Sequence, residues 1–151
     1  MPKHHENRVM PYTADQMYAL VADVARYPEF LPWCAAARIR TQTDQGDSTL
    51  IEADLVISFK VFRERFGSRV RLWRADRRID TEYLDGPFKY LQSGWQFTDC
   101  EGGCQVDFFV DFEFKNAILQ GVIGVVFNEA MQRIVRAFET RAAALYTPPA
   151  T

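Results

Sequence analysis

The apolar residues of this chain change their spacing at Asn116, and this change limits the folds that the chain can adopt. From Cys104 to Lys115 apolar and polar residues alternate, interrupted only by Phe109, as in a strand with one buried face. From Asn116 to Tyr146 apolar residues recur every three or four positions, which predicts a helix of about thirty residues. We expect this helix to lie across the sheet, because both elements must bury one apolar face.

Four earlier segments also alternate with a period of two and are predicted to be strands. They are Ser48–Phe59, Phe62–Leu72, Arg77–Leu84 and Phe88–Asp99. A hairpin turn at Glu101-Gly102-Gly103 is predicted to join the last of them to the strand that starts at Cys104. With a short extended segment at Glu6–Met10, the sequence predicts a curved antiparallel sheet of about six to seven strands.

Two short helices are predicted between the first strand and the rest of the sheet. Thr13–Val24 has helical apolar spacing, and Thr13 with Gln16 forms a capping-box pattern at its start. A second helix is predicted at Ala25–Phe30, before Pro32 ends it. This order of elements indicates an α+β helix-grip fold, in which a bent sheet surrounds one long helix and often leaves a cavity.

The length and composition indicate one soluble domain. A chain of 151 residues can bury one good core, so we assign residues 1–151 to one ligand-binding domain with its core at about 7–146. Twelve Phe residues indicate either dense aromatic packing or a wide aromatic-walled cavity. The polar start of the chain and the lack of a long apolar stretch predict a cytoplasmic protein, soluble or bound to the inner face of a membrane.

The cysteines and histidines give no metal-binding pattern. Three cysteines without metal-ligand spacing indicate free thiols in a reducing compartment. Cys100 and Cys104 flank the predicted hairpin turn, where they could face one another across two strands. His4 and His5 are expected in an irregular N-terminal segment, so zinc is not expected.

The segment Tyr27-Pro-Glu-Phe-Leu-Pro-Trp-Cys34 combines large apolar residues with two prolines that prevent regular structure. It is consistent with a plug at one end of a core or with the mouth of an apolar cavity.

A basic segment runs from Lys60 to Arg78, with eight Lys or Arg residues against Glu64 and Asp76. One interpretation is a strand face covered by long charged side chains, which also prevents edge-to-edge aggregation. The other is contact with an anionic partner, either a phospholipid surface or ribosomal RNA. The residues assigned to that contact are Arg63, Arg65, Arg69 and Arg71.

Three motifs resemble one known family. The segments Tyr27–Cys34, Leu84-Asp-Gly-Pro-Phe-Lys-Tyr-Leu91 and Trp95-Gln-Phe97 are similar to the coenzyme Q-binding, polyketide cyclase-like branch of the START-domain superfamily. That branch includes a mitochondrial coenzyme Q chaperone and ribosome-association toxins of the RatA type. The resemblance implies a hydrophobic tunnel that binds ubiquinone for respiration or quinone biosynthesis. Its alternative implication is a toxin that binds the large ribosomal subunit and blocks subunit association.

The inward faces of the predicted elements supply the walls of such a tunnel, although the same side chains could equally form a closed core. The predicted lining is Tyr27, Phe30, Leu31, Trp33, Leu55, Ile57, Phe59, Phe66, Val70, Phe88, Trp95, Phe97, Phe108, Val110, Phe112, Ile123, Phe127, Met131 and Ile134. Candidate hydrogen-bond donors for a quinone ring are Tyr27, Trp33, Tyr90, Trp95 and, more weakly, Lys89.

Two glycines stand near the start of the long helix. Gly121 and Gly124 could let this helix flex or let a ligand lie close to it. They could equally permit a close approach between helix and sheet.

No catalytic constellation is recognisable. The predicted domain has no internal histidine to act as a general base, no phosphate-binding glycine loop, and no histidine partner for Cys34. We therefore expect a non-enzymatic protein with no metal and no cofactor, and the family resemblance implies that ubiquinone or a similar isoprenoid lipid is a carried ligand.

Overall fold

The computed structural model describes residues 3–59 and 62–146, and the side chains of Phe59 and Phe62 lie outside this description. The strands are β1 (Lys3–Met10), β2 (Cys34–Asp44), β3 (Thr49–Phe59), β4 (Phe62–Trp73), β5 (Arg78–Asp85), β6 (Phe88–Cys100) and β7 (Gly103–Phe114). The helices are α1 (Ala14–Ala22), a 3-10 helix at Val24–Glu29, and α2 (Ala117–Leu145).

All neighbouring strands pair antiparallel, in the order β1-β7-β6-β5-β4-β3-β2. This sheet and its long C-terminal helix confirm the predicted helix-grip fold. The sequence analysis assigned no strand to Cys34–Asp44, because β2 lies at the edge of the sheet and most of its side chains are exposed. An edge strand of this kind lacks the apolar alternation that marks a buried face.

Strand β1 begins earlier than predicted. It pairs with β7 from Lys3, opposite Asp111, to Met10, opposite Cys104. His4 and His5 therefore belong to the sheet. The prediction that they lie in an irregular N-terminal segment is wrong. The side chain of His4 is only 13% exposed and lies against Phe127, with 6.3 Å between the ring centroids.

The helix ends follow local hydrogen-bonding chemistry. The Thr13 hydroxyl accepts from the Gln16 backbone N–H at 3.1 Å, and the Gln16 side chain accepts from the Thr13 N–H at 3.0 Å. This is the predicted capping box. At the start of α2 the Asn116 side chain accepts from the N–H groups of Ile118 and Leu119. These bonds satisfy donors that the first turn of a helix leaves without partners.

Two residues of the β6–β7 hairpin, Phe109 and Gly103, depart from regular strand patterns for steric reasons. Phe109 points to the outer face of the sheet, where its ring lies over Gly94, its cross-strand partner. Gly103 has a φ of +152°, and a Cβ atom there would lie 1.9 Å from the Met10 carbonyl oxygen. The chain therefore requires glycine at residue 103 for β1 to approach the turn.

Cys100 and Cys104, which could have faced one another across this hairpin, do not stand opposite each other. In the register of β6 and β7, Cys104 stands opposite Asp99 and Cys100 stands opposite Gly103. Cys104 is buried, whereas Cys100 is exposed, and both thiols are free.

The interior has two unlike ends. At one end α1 fills the space between the sheet and the second half of α2, and its residues Met17 and Val21 are completely buried. We call this the packed end, which also contains Phe97, Val106 and Phe138. At the other end, beneath the first half of α2, the side chains leave an open space.

Candidate ligand cavity

The space between the sheet and α2 is a cavity of about 250 Å³ with an apolar wall. We call this region the cavity end. Its wall is formed by Tyr27, Leu31, Pro32, Trp33, Cys34, Leu55, Ile57, Phe66, Phe88, Leu91, Ser93, Phe108, Val110, Phe112, Phe114, Ile123, Ala130, Met131 and Ile134. These residues come from β3, β4, β6, β7, the segment after the 3-10 helix, and α2.

Most of the predicted lining residues meet in this wall. They are Tyr27, Leu31, Trp33, Leu55, Ile57, Phe66, Phe88, Phe108, Val110, Phe112, Ile123, Met131 and Ile134. The side chain of Phe59 lies outside the described residues. Whether any of these side chains binds a ligand stays a prediction.

Five predicted lining residues do not border the cavity, and these assignments are corrected. Trp95 stacks on Phe108 with ring centroids 4.2 Å apart, and Phe97 stacks behind Trp95. Phe127 packs between His4 and Phe112. Phe30 packs on Phe138 and beneath the Arg141 guanidinium, and Val70 is buried in the core. Alternation identifies the inward face of each element but not the depth of the cavity along it.

The sequence analysis missed several wall residues. They are Pro32, Cys34, Leu91, Ser93, Phe114 and Ala130. Leu91 and Ser93 share the inward face of β6 with Trp95 and Phe97, so the period of two was the signal that could have found them. Ser93 brings a hydroxyl group into the apolar wall.

Tyr27 borders the cavity, but its hydroxyl is already used. The hydroxyl donates to the Val21 carbonyl oxygen at 2.5 Å. Burial raises the pKa of Tyr27 above its ordinary value, and electrostatic interactions with Cys34 and Asp23 raise it further. The predicted role of Tyr27 as a donor to a quinone ring is therefore not supported, because its proton is held by the backbone.

Two other candidate donors lie outside the cavity. The Tyr90 hydroxyl donates to Asp111 at 3.1 Å, and the Lys89 ammonium lies 2.9 Å from a Glu113 carboxylate oxygen. Both contacts are on the outer face of the sheet, so neither side chain forms part of the cavity wall.

The segment Tyr27–Cys34 closes one side of the cavity. Phe30 and Leu31 donate their backbone N–H groups to the Tyr27 carbonyl, and the Trp33 carbonyl accepts from the Ser58 N–H at 2.8 Å. Trp33 has a φ of 64°, a left-handed conformation that is uncommon for a large residue. Of the two interpretations, a plug or a mouth, the structure favours a mouth, since Leu31, Pro32 and Trp33 all border the space.

The cavity wall contains few reactive groups. Within its described lining there is no Asp, Glu, His, Lys or Arg residue. Burial raises the pKa of the Cys34 thiol above its ordinary value, so this thiol stays protonated and weakly nucleophilic. Among residues 3–59 and 62–146, no three His, Cys, Asp or Glu side chains are grouped as metal ligands. Searching those same ranges also finds no helix with the length and apolarity needed to cross a membrane.

The basic segment is largely paired within the protein. Arg65 contacts Asp54 at 2.5 Å and Asp85 at 3.0 Å, and Arg40 joins both carboxylates. Hydrogen bonds from Arg40 and Arg65 lower the pKa of Asp54, and the arginine pKa values are raised in return.

Two further arginines of the segment also have internal partners. Arg69 pairs with Glu52 and Glu82, and Arg71 donates to Gln45 and lies over the Trp73 ring. Arg63 is exposed, and Lys60 lies outside the described residues. The structure thus favours a charge-paired sheet face over a surface reserved for an anionic partner.

Both interpretations that required contacts at Gly121 and Gly124 are wrong. A Cβ atom at either position would meet nothing within 4 Å, so no strand packs against these glycines, and neither of them borders the cavity. Both glycines face open space on the outer side of α2.

Comparison with known proteins shows what this architecture is similar to. The sequence profile of the family described as "Polyketide cyclase / dehydrase and lipid transport" matches residues 10–139. The ribosome association toxin RatA of Rickettsia prowazekii is 38% identical over 145 residues, covering 94% of this chain and 97% of the relative. The mitochondrial coenzyme Q-binding protein COQ10 homolog B of Xenopus laevis is 30% identical over 149 residues, covering 95% of this chain and 59% of the relative.

A solved structure has the same fold over its whole length. The solution structure of an 18 kDa protein from Caulobacter crescentus superimposes with a TM-score of 0.80 and 36% identity. The match covers 96% of this chain and 98% of that protein.

Proposed function

Since this chain belongs to the polyketide cyclase, dehydrase and lipid transport family, we propose that it is a non-catalytic carrier of an isoprenoid quinone of the ubiquinone type. The observation that carries the proposal is the apolar cavity of about 250 Å³ between the sheet and α2. The carrier works at the cytoplasmic face of a membrane, where it supports respiration or quinone biosynthesis.

The chemistry of the wall suits an isoprenoid. Each methylene group transferred from water to an apolar wall contributes about 0.8 kcal/mol. The wall offers aromatic and aliphatic side chains along its length, while Ser93 offers a hydroxyl group for a polar ring. An enzymatic reaction has little support, since the described wall lacks an ionisable acid or base of ordinary pKa.

The size of the cavity has a consequence for binding. Ligand pockets commonly measure about 300–1,000 Å³, and this cavity is smaller. A long isoprenoid tail therefore requires that the first half of α2 moves outward or that the tail leaves through the mouth at Trp33. Both routes lie at the cavity end.

A space-filling substitution tests the carrier. Ala130 is buried and borders the cavity, so Ala130→Phe fills the space with an apolar ring and leaves the charge unchanged. We expect quinone extracted from the purified wild-type protein and measured by mass spectrometry to fall at least tenfold in this variant. Ala137→Phe is the matched control, because Ala137 lies on the same helix beside an outer groove. The carrier proposal is wrong if the wild-type protein carries no quinone and binds none when it is added.

A second function is favoured by the comparison of sequences. The relative named for ribosome association is more similar, at 38% identity, than the relative named for coenzyme Q binding, at 30%. The alternative proposal is therefore a toxin that binds the large ribosomal subunit and blocks subunit association. Sucrose-gradient sedimentation of purified subunits with the wild-type protein tests it, and an unchanged fraction of joined ribosomes rules it out. If the Ala130→Phe variant blocks subunit association to the same extent as the wild-type protein, that activity does not depend on the cavity.

A further inference from the structure

The outward face of the first three turns of α2 is apolar and open to solvent. Ile118 is 73% exposed and Val125 is 86% exposed, and half-buried Val122 lies between them on the same stripe of the helix. We call these three residues the apolar stripe. Surface helices ordinarily carry charged residues on this side, whereas α2 has no charged side chain before Glu129.

The second half of the same helix shows what an ordinary outward face contains. Glu129, Gln132, Arg133 and Arg136 are all exposed there, and Arg133 lies 3.8 Å from Glu129. The apolar stripe is thus a local departure within one helix and not a general property of this surface.

The glycines extend the open surface. Gly121 and Gly124 stand beside the apolar stripe, and both would accept a side chain without any contact within 4 Å. Their presence cannot be explained by packing inside the protein. A smooth, uncharged helix surface permits close approach by something outside it.

Cations stand next to the stripe on the side of the cavity mouth. Arg133, Arg136 and Arg141 line an outer groove together with Phe30 and Pro32. Pro32 also borders the cavity, so the groove lies beside the mouth. Apolar side chains on a helix beside a cluster of arginines are the composition of helices that bind at the boundary between lipid headgroups and acyl chains.

The stripe also covers the cavity. Ile123 points inward from the same turns that present Val122 and Val125 outward, and it forms part of the cavity wall. A partner that binds the apolar stripe therefore contacts the same turns of α2 that cover the cavity.

We propose that the first three turns of α2 dock on an anionic lipid bilayer. Ile118, Val122 and Val125 enter the headgroup boundary, while Arg133 and Arg136 meet lipid phosphates. Docking does not require a bound ligand. Its role, which is to release an apolar ligand directly into the bilayer, rests on the proposed carrier function. Ribosomal RNA is a poorer partner for the stripe, because an uncharged apolar face offers nothing to phosphates.

Vesicle flotation tests the proposal. Purified protein is mixed with phosphatidylcholine vesicles with and without phosphatidylglycerol, and the floating fraction is measured. The double variant Ile118→Gln/Val125→Gln removes the stripe with a good helix former, so the fold should be retained, as circular dichroism can check. Leu145→Gln is the matched control, since Leu145 is another exposed apolar residue of α2 at its far end.

We expect anionic vesicles to float the wild type and Leu145→Gln alike, and the double variant about tenfold less. The variant Val125→Trp should float more strongly, because tryptophan favours the lipid interface. No flotation of the wild type, or equal flotation of the double variant and Leu145→Gln, overturns the proposal. Loss of ribosome binding with unchanged flotation in the double variant also overturns it, because the stripe then serves the ribosome.

The result is separable from the carrier proposal. Protein that brings quinone but does not float contradicts only the docking surface. Protein that floats through the stripe but carries no quinone contradicts only the cargo.

Discussion

The packed end and the cavity end share one sheet and one helix, yet they differ in what fills them. At the packed end, α1 buries Met17 and Val21 completely, and Phe97 of the sheet is 1% exposed. At the cavity end, within residues 3–59 and 62–146, no second α-helix covers the sheet, and the aromatic residues of β4, β6 and β7 line a space. The difference shows that one regular fold can combine a stable half with a half that has room for a ligand.

The two halves of α2 follow the same division. Its second half packs Val135, Phe138 and Ala142 against the packed end, and all three are almost completely buried. Its first half covers the cavity and contains two glycines in open space. Each glycine in a helix interior costs about 0.5–1 kcal/mol relative to alanine. The first half is therefore the part of α2 that opens most readily.

Matched methionine substitutions should show the largest difference between the ends. Met17→Ala creates a new void in a filled region, so we expect the free energy of unfolding to fall by about 2–5 kcal/mol. Met131 already borders open space, so Met131→Ala should cost less, at or below about 2 kcal/mol. Urea denaturation measures both values. Equal losses would show that the cavity end is as tightly packed as the other end in solution.

The next largest effect is expected from titration of the buried Cys104 thiol. Burial raises the pKa of the Cys104 thiol to about 11 from 9.0, with Asp99 and Cys100 adding to the effect. The folded state then keeps a proton that the unfolded state loses, so stability is full below pH 9 and falls as the pH rises toward 11. We expect a loss of about 1–2 kcal/mol from this thiol.

Thermal unfolding between pH 8 and 11 measures this loss. Cys104→Ala should unfold with a flatter pH dependence than the wild type. Cys100→Ala, which changes the exposed thiol of the same hairpin, should keep most of the slope. The assignment fails if the two variants have the same pH profile.

The smallest effect is expected at the glycines. Gly121→Ala and Gly124→Ala meet no atoms within 4 Å, so each should stabilise the protein by about 0.5–1 kcal/mol. The double variant should also slow ligand exchange, because a stiffer first half opens the cavity less often. Stopped-flow fluorescence measures the exchange rate. A stabilised protein with unchanged exchange would show that ligands enter through the mouth at Trp33 instead.

Sequence alone predicted the fold and the apolar face of most elements well, for a physical reason. Alternation and helical spacing report which side of an element is apolar, and the sheet has only one interior for those sides to meet. The same pattern could not separate Phe112, which borders the cavity, from Phe97, which is packed behind Trp95. The difference depends on where α1 ends, which is a property of the whole fold.

Polar contacts were the least predictable part. The partner of the Tyr27 hydroxyl is a backbone carbonyl at Val21, and the partners of Arg65 are carboxylates from β3 and β5. Such partners depend on strand register and on neighbouring elements, which a run of arginines or a lone tyrosine does not encode. The same holds for the edge strand β2, whose pairing is fixed by β3.

The pairing of β1 with β7 also affects how this protein is made. These strands join residues about a hundred positions apart, as His5 and Asp107 are. During synthesis, β1 must wait until β7 has left the ribosomal tunnel, so the sheet closes late and through contacts that are slow to form. Until β1 has paired with it, the edge of β7 has no covering strand, and an uncovered edge is open to other chains. Strand β1 thus covers this edge late and then protects the sheet against aggregation.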